Sequence, residues 1–253
     1  MANARSRQRV ALTPLAAAIM LLVAVASADP ASQGPSKAKT GRALPHPEIV
    51  RRWHLPPLVP APIAPDGRPA LVLEMLNTGE RLELLPKSLA EGGGFTADDL
   101  ARASHALRDP RTDEECKIDA RTVELVYQVE QHFAARAVRV VSAFRTPEGR
   151  SNHGKGRALD IVVPGARDDE VARFARTIGF VGVGLYPRSG FVHIDSRSRS
   201  FFWVDGSGPG QRGRVVPVFS KAAVASDAKA RRRGEEPPSD EVAPDPDADH
   251  DEG

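Results

Sequence analysis

Two stretches of the sequence decide both the fold and the chemistry of this chain: SNHGKGRALD at residues 151–160 and FVHID at residues 191–195. In the first, His153 and Asp160 lie seven positions apart with small residues between them, and in the second His193 lies in an apolar, strand-like run. Catalytic zinc sites commonly use three protein ligands drawn from His, Asp and Glu, with water in the remaining position. The two stretches therefore predict neighbouring strands that share a zinc site, as in a metallohydrolase.

The local geometry allows this arrangement. Two glycines let the chain turn tightly between His153 and the strand that contains Asp160. Because side chains alternate along a strand, His193 and Asp195 face the same side of the sheet. We assign His193 to the metal, since a His-Asp-His set gives zinc two neutral nitrogens and one oxygen. Asp195 is then either a general base or a partner that fixes the His193 ring, and the reverse assignment, with Asp195 on the metal and His193 as the base, stays open.

The surrounding sequence predicts an α+β fold with a small, mainly antiparallel sheet and helices packed beside it. The predicted strands are residues 71–76, 81–85, 138–142, 158–163, 182–186, 190–195 and 201–204, the last at an edge of the sheet. The predicted helices run from about 96 to 107, from about 119 onward, and from 168 to 177. Thr96 and Asp99 form a capping-box pattern, and Glu130 interrupts the apolar stripe of the second helix.

Residues 1–28 have the pattern of an export signal. Three arginines precede an apolar run from Leu15 to Ala26, and Ala26-Ser27-Ala28 is a small-x-small cleavage site. The run is shorter than the roughly 20 residues that a membrane span needs. We therefore expect a periplasmic or secreted protein with no stable membrane span after signal removal; an uncleaved anchor is the alternative.

The rest of the chain divides by composition. Residues 29–69 are expected to be a Pro-rich linker or wrapped arm, with Trp53 and His54 as its possible anchors. Residues 70–219 form the predicted folded domain with the metal site, and residues 220–253 a charged tail that cannot bury enough surface to fold. The basic cluster at 229–233 adjoins an acidic run, which favours a solvated tail over nucleic-acid binding.

The other metal-binding and nucleophilic residue types are weak candidates. Cys116 is the single cysteine, so neither an intrachain disulfide nor a thiolate metal cluster can form. It lies in a polar turn with no local base, which indicates an incidental thiol rather than a nucleophile. The histidines outside the two stretches, expected to be solvated, are His46, His54, His105, His132 and His250.

These residues resemble the M15 zinc peptidases. Residues 151–160 match that family's Ser-x-His-x-x-Gly-x-Ala-x-Asp signature, and SAFRTP at 142–147 is similar to its Ser-Gly-Tyr-Arg-Ser-Pro element. Residues 182–195 resemble the branch formerly called DUF882, typified by murein endopeptidase K, and so do residues 77–80 and 107–109. The resemblance covers roughly residues 70–205.

The resemblance implies a Hedgehog and D-Ala-D-Ala carboxypeptidase-like architecture in which His153, Asp160 and His193 bind zinc. It implies that Arg145 points into the site and binds the substrate carbonyl or carboxylate, with a structural ion pair as the alternative. The implied substrates are peptide bonds of peptidoglycan stem peptides or cross-links, cut by an endopeptidase or a carboxypeptidase. A non-catalytic cell-wall-binding module that retains the fold is the competing hypothesis.

Two features depart from the family pattern. The segment between Arg145 and His153 is shorter than we expect in that branch, which alters the wall of the cleft. The His-x-His and Glu-x-x-Trp-His elements of other branches are absent from the sequence, so the assignment of a base depends on Asp195 alone.

Overall fold

The structure is a computed structural model that describes residues 44–146 and 151–238. The expected export signal at residues 1–28 and the acidic end of the chain lie outside these ranges. Within them, every helix is too short or too polar to cross a membrane.

An eight-stranded mixed sheet is the framework of the described chain. Its strands are β1 Leu71–Met75, β2 Arg81–Leu84, β3 Val138–Ser142, β4 Ala158–Val162, β5 Val181–Tyr186, β6 Phe191–Ser196, β7 Phe201–Asp205 and β8 Val215–Pro217, in the order β2-β1-β3-β4-β6-β5-β7-β8. The predicted hairpins β1–β2 and β5–β6 are confirmed.

The sheet corrects the expectation of a small, mainly antiparallel one. β1 pairs with β3 and β5 pairs with β7 in parallel, while the other neighbours are antiparallel. Both parallel pairs arise because the chain leaves a strand, crosses over intervening structure and returns beside that strand in the same direction. β7 is also not the edge strand that residues 201–204 were expected to form, because Val204 pairs with Val216 of β8.

Five α-helices accompany the sheet in the described ranges: α1 His46–Trp53, α2 Ala97–Ala106, α3 Ala120–His132, α4 Asp168–Ala175 and α5 Ser220–Arg232. The predicted capping box of α2 is confirmed, since Thr96 Oγ1 accepts from the N–H of Asp99 at 3.1 Å and the Asp99 carboxylate accepts from the N–H of Thr96 at 3.2 Å. Asp119 begins α3 by accepting from the N–H of Arg121 at 2.8 Å. Local capping chemistry therefore sets both helix starts.

One face of the sheet builds the hydrophobic core. Val183 of β5 lies between Ile194 of β6 and Phe202 of β7, and all three are at most 1% exposed. The apolar sides of α3 and α4 supply further members of the same core cluster. Because side chains alternate along each strand, the residues between these core positions point to the opposite face, where the predicted metal ligands lie.

The C-terminal helix corrects the prediction that residues from 220 onward remain an unfolded charged tail. Asp227 of α5 is buried and accepts from the backbone N–H groups of Phe180 at 2.8 Å and Ser200 at 2.9 Å. Ala230 packs so closely on Gly179 that a Cβ added to Gly179 would lie only 2.6 Å from the Cβ of Ala230. Small and polar residues dock this helix, so it lacks the apolar stripe that identifies a buried helix in a sequence.

The arm before the domain contains α1, a short helix ahead of its proline-rich segments. The Trp53 carbonyl accepts from the Arg139 side chain at 2.6 Å, and the His54 carbonyl accepts from the N–H of Gly165 at 3.1 Å. The His54 ring also approaches the carboxylate of Asp168 at 3.6 Å. Both residues thus connect the described part of the arm to the sheet and to α4.

Candidate metal centre

Three elements bring the predicted ligands to one point. His153 begins a short 3₁₀ turn, His153–Lys155, which Gly156 ends in the left-handed conformation at φ 64°. Asp160 lies on β4 and His193 on β6, directly opposite each other in the antiparallel register. Gly156 is required here, because a Cβ would also lie only 2.5 Å from the Lys117 carbonyl oxygen.

The ligand atoms have the spacing of a metal site. Nε2 of His153 lies 3.2 Å from Nδ1 of His193, which lies 3.0 Å from Oδ1 of Asp160. The third edge, from His153 Nε2 to Asp160 Oδ1, is 3.4 Å. Tetrahedral zinc with bonds of about 2.0–2.1 Å separates its ligand atoms by about 3.3–3.4 Å. The triangle therefore matches one face of a zinc tetrahedron.

Hydrogen bonds behind the rings fix which nitrogens face the centre. His153 Nδ1–H donates to the Ala143 carbonyl at 2.7 Å, and His193 Nε2–H donates to Oδ2 of Asp195 at 2.9 Å. The carbonyl and carboxylate can only accept, so the neutral rings turn the lone pairs of the other nitrogens toward Asp160. In the neutral tautomers that these bonds favour, three buried lone-pair donors converge on one point, and a cation there satisfies all three.

The pKa shifts point the same way. Burial alone would raise the pKa of the Asp160 carboxyl, but His153 and His193 outweigh it and hold that pKa well below its usual range. Burial opposes a charge on His193, yet the hydrogen bonds that its ring donates to the Asp160 and Asp195 carboxylates in the metal-free protein raise its pKa to about 9. The bare cluster thus attracts a proton where a metal cation fits, and metal binding has to release that proton.

Asp195 lies behind His193. It is fully buried, and its Oδ2 contacts Nε2 of His193, whereas Asp160 contacts the other ring nitrogen. Arg197 Nε–H donates to Oδ1 of Asp195 at 2.6 Å, and Arg197 Nη2 makes a short contact with Oδ2. Of the roles considered for Asp195, this geometry favours fixing the His193 ring over acting as a base or binding the metal.

Arg145 lies in the loop after β3, partly buried and two residues beyond Ala143, whose carbonyl holds His153. The buried Asp109 anchors this loop by accepting from the N–H and the hydroxyl of Thr146, each at 2.9 Å. The Arg111 guanidinium and these Thr146 bonds hold the pKa of Asp109 below its usual range, so the anchor is ionised. The segment at 107–109 that resembles the family thus fixes the backbone that carries Arg145.

Sequence reasoning missed the residues that surround His193. Gly184 of β5 pairs with His193 on one side and Trp203 on the other, and a Cβ on Gly184 would overlap the Trp203 indole. The missing side chain lets the His193 and Trp203 rings approach to 5.1 Å between centroids. The two glycines of VGVGLY, two positions apart and facing one side of β5, were the signal that could have predicted this close approach.

The weak candidates have other surroundings. Cys116 is a free thiol, and burial raises its pKa, which disfavours the thiolate. The His132 ring stacks on Phe174 at 3.6 Å between centroids. The exposed His105 contacts Glu115 at 2.6 Å. These contacts give structural explanations for the two histidines, and the raised pKa of Cys116 argues against a nucleophilic role.

Comparisons with known proteins agree with the geometry. A family model described as Peptidoglycan L,D-endopeptidase MepK matches residues 64–200. The chain is 29% identical over 140 residues to the Escherichia coli (strain K12) Peptidoglycan L,D-endopeptidase MepK, across 50% of this chain and 75% of the relative. It is also 29% identical over 157 residues to the Probable peptidoglycan L,D-endopeptidase MepK of Haemophilus influenzae, across 56% of this chain and 83% of the relative.

No solved structure matches the chain. The family model, however, covers more than half of it and includes every residue of the His153, Asp160 and His193 cluster. The chain therefore belongs to the M15 peptidase family, in its murein endopeptidase K-like branch.

Proposed function

We propose that this chain is a zinc-dependent peptidase that hydrolyses peptide bonds in peptidoglycan stem peptides or cross-links. The observation that carries the proposal is the buried triangle of His153, Asp160 and His193, whose edges of 3.2, 3.0 and 3.4 Å match a tetrahedral zinc face. The names of the relatives make the L,D bond the first substrate to test.

His153, Asp160 and His193 would hold the zinc, which when bound would supply a Lewis acid for activating water and polarising the peptide carbonyl. The protein contributes orientation. The Ala143 carbonyl and Asp195 each bind the outer nitrogen of one histidine, which keeps both rings in the ligand tautomer. For Asp195 we therefore propose the orienting role rather than that of the general base.

Arg145 is the proposed substrate-binding residue. Its loop is fixed at Thr146 by Asp109 and at Ala143 by His153, so its backbone is held next to the metal centre. A guanidinium can bind a carboxylate in a bidentate manner or stabilise the negative charge that develops on an attacked carbonyl. Arg145→Lys would keep the charge but lose the planar fork, so a selective rise in KM would support carboxylate binding.

Export to the periplasm completes the proposal. The signal-like pattern of residues 1–28 would deliver the protein to the compartment that contains peptidoglycan. Mass spectrometry of the mature N-terminus after expression in a Gram-negative host tests this step. Cleavage after Ala28 is expected, and a protein that retains Met1 would contradict it.

The activity test uses purified, zinc-loaded protein and muropeptide dimers joined by either L,D or D,D peptide bonds. Liquid chromatography with mass spectrometry should show conversion of the L,D dimers to monomers, with loss of conversion after chelation and in His153→Ala. Conversion of the D,D dimers alone would support a peptidase but show that it cuts D,D rather than L,D peptide bonds. Binding to peptidoglycan without products would favour the non-catalytic module.

A further inference from the structure

Arg197 contacts the residue that lies directly behind the metal-binding histidine His193. It follows β6 directly, so it continues the alternating series His193, Asp195, Arg197 on the metal-binding face. Its guanidinium bonds both carboxylate oxygens of Asp195, through Nε to Oδ1 at 2.6 Å and through Nη2 to Oδ2. The arrangement is therefore a chain of contacts from Arg197 through Asp195 to His193.

The surroundings hold Arg197 in this geometry. Its guanidinium lies over the rings of Trp203 at 5.5 Å and Phe201 at 5.6 Å. Its backbone N–H donates to the Phe180 carbonyl at 3.2 Å, and its side chain is only 11% exposed. A bidentate pair with ring contacts and little exposure is far more ordered than a surface ion pair.

The neighbouring strand is shaped around the same pair. Gly182 of β5 lies opposite Asp195, and a Cβ on Gly182 would overlap both Oδ2 of Asp195 and the guanidinium of Arg197. Because Gly182 has no side chain, Asp195 and Arg197 occupy space that the Cβ of any other residue at this position would fill. The two glycines of β5 therefore serve different contacts: Gly182 makes room for the Asp195–Arg197 pair, and Gly184 for the close approach of Trp203.

We propose that Arg197 is a positioning residue of the metal centre. It holds the buried carboxylate of Asp195 in line with Nε2 of His193, and thereby keeps the lone pair of Nδ1 directed at the metal. Without Arg197, Asp195 is a buried carboxylate whose one remaining described side-chain partner is His193, and nothing else described holds the carboxylate plane in line with the ring. The expected consequence is weaker zinc binding, because outer partners of ligand histidines typically contribute roughly 10–100-fold to metal affinity or activity.

The inference rests on the proposed zinc site, so its test measures zinc binding directly. Zinc affinity is determined by competition with a chromophoric chelator for the wild type, Arg197→Gln, Arg197→Lys and His153→Ala. Arg199→Gln is the matched control, since Arg199 is an exposed arginine two residues further along. Arg197→Gln should weaken zinc binding by roughly 10–100-fold, Arg197→Lys by less, and Arg199→Gln within about twofold.

A second measurement separates positioning from general destabilisation. Nitrogen NMR of the histidine rings in the zinc-loaded protein should show one fixed tautomer for His193 in the wild type, and an altered Nε2–H resonance in Arg197→Gln. In Arg197→Lys the ammonium group can bond one carboxylate oxygen of Asp195 but cannot form the bidentate pair. This variant should therefore restore part of the wild-type signal. If Arg197→Gln does not fold, Arg197→Lys decides the question through the same two measurements.

The outcomes are distinguishable. Wild-type zinc affinity and an unchanged His193 resonance in folded Arg197→Gln, or in Arg197→Lys if that variant decides, would overturn the role of Arg197 and leave the zinc site intact. Wild-type zinc affinity in His153→Ala would overturn the proposed zinc site itself.

Discussion

The two faces of β6 contain adjacent residues with the same burial and opposite chemistry. Val192 and Ile194 on the core face are both 0% exposed, while His193 and Asp195 on the other face are 3% and 0% exposed. On the core face, the apolar side chains pack against one another and need no further partner. The metal-binding face instead brings three potential ligand atoms within 3.0–3.4 Å of one another, each ring fixed by a hydrogen bond from its outer nitrogen. Burial alone therefore does not identify the site; the hydrogen-bond partners do.

The largest effect is expected from a substitution on the metal-binding face of β6. His193→Ala removes one of three ligand atoms, so zinc affinity should fall by more than the roughly 100-fold that loss of an outer partner costs, and peptidase activity should disappear. The metal-free protein should still fold, because no core residue changes. Zinc competition titrations and muropeptide digestion check this, with the exposed His105→Ala as the control. Wild-type zinc affinity in His193→Ala would contradict the ligand assignment.

Ile194→Ala disrupts the packing of the core face at the position that follows His193 on β6. Removing a fully buried isoleucine leaves a cavity against Val183 and Leu159, its partners on the two adjacent strands, and should lower the free energy of unfolding by about 2–5 kcal/mol. Zinc stoichiometry of the folded fraction should not change. Urea denaturation measures the loss, and the exposed Val216→Ala is the control. A loss equal to that of the control would show that this face is not the core.

Glu130 places a carboxyl on the core side, where Oε1 accepts from the N–H of Val72 at 3.0 Å. Burial raises the pKa of Glu130 from 4.5 to about 8. The unfolded chain releases this proton near pH 4.5 while the folded protein keeps it to about pH 8, so the free energy of unfolding should fall as the pH rises through that window. The effect amounts to up to about 5 kcal/mol, since each pKa unit is worth 1.36 kcal/mol.

Glu130→Gln removes this titration while keeping an acceptor for Val72. Its free energy of unfolding should therefore depend less on pH than that of the wild type, with the largest difference at the alkaline end. Urea denaturation at a series of pH values measures both slopes. Equal slopes for the two proteins would show that Glu130 is ionised in the folded protein.

The smallest expected effect concerns the spacing between β5 and β7. Gly184→Ala would force the Trp203 indole away from the strand and should destabilise the protein by about 1–3 kcal/mol, as overpacking does. Thermal unfolding measures this. Gly206→Ala is the matched control, because a Cβ at Gly206 would meet no atom within 4 Å. Equal melting temperatures for the two variants would refute the tight contact.

Sequence reasoning predicted the features that depend on local chemistry. The hairpins have turn residues between alternating strands, α2 and α3 have capping side chains, and the ligands lie in one signature and one strand. It did not predict the parallel pairs β1–β3 and β5–β7, because strand periodicity contains no information on the order of strands in a sheet. The family match supports the ligand cluster, while the roles of Arg145 and Asp195 remain predictions.

The remaining misses have a common physical cause. Arg197 is a charged residue after a strand, a pattern that usually indicates solvent, and only the folded chain shows that it binds Asp195. The buried side of α5 consists of Ala223, Ser226, Asp227 and Ala230, which lack the size and polarity contrast of an amphipathic helix. In both regions hydrogen bonds rather than apolar area decide the structure, and a single sequence does not display hydrogen-bond partners.

The docking of α5 on Phe180 and Ser200 has a practical consequence for trimming the protein. A version shortened to the matched residues 64–200 would keep all three metal-binding side chains and Arg197. It would lack Trp203 and Phe202, and it would leave the N–H of Phe180 without the Asp227 carboxylate. We therefore expect the stably folded unit of this chain to be longer than the segment that matches the family, and a shortened version to need residues 201–232.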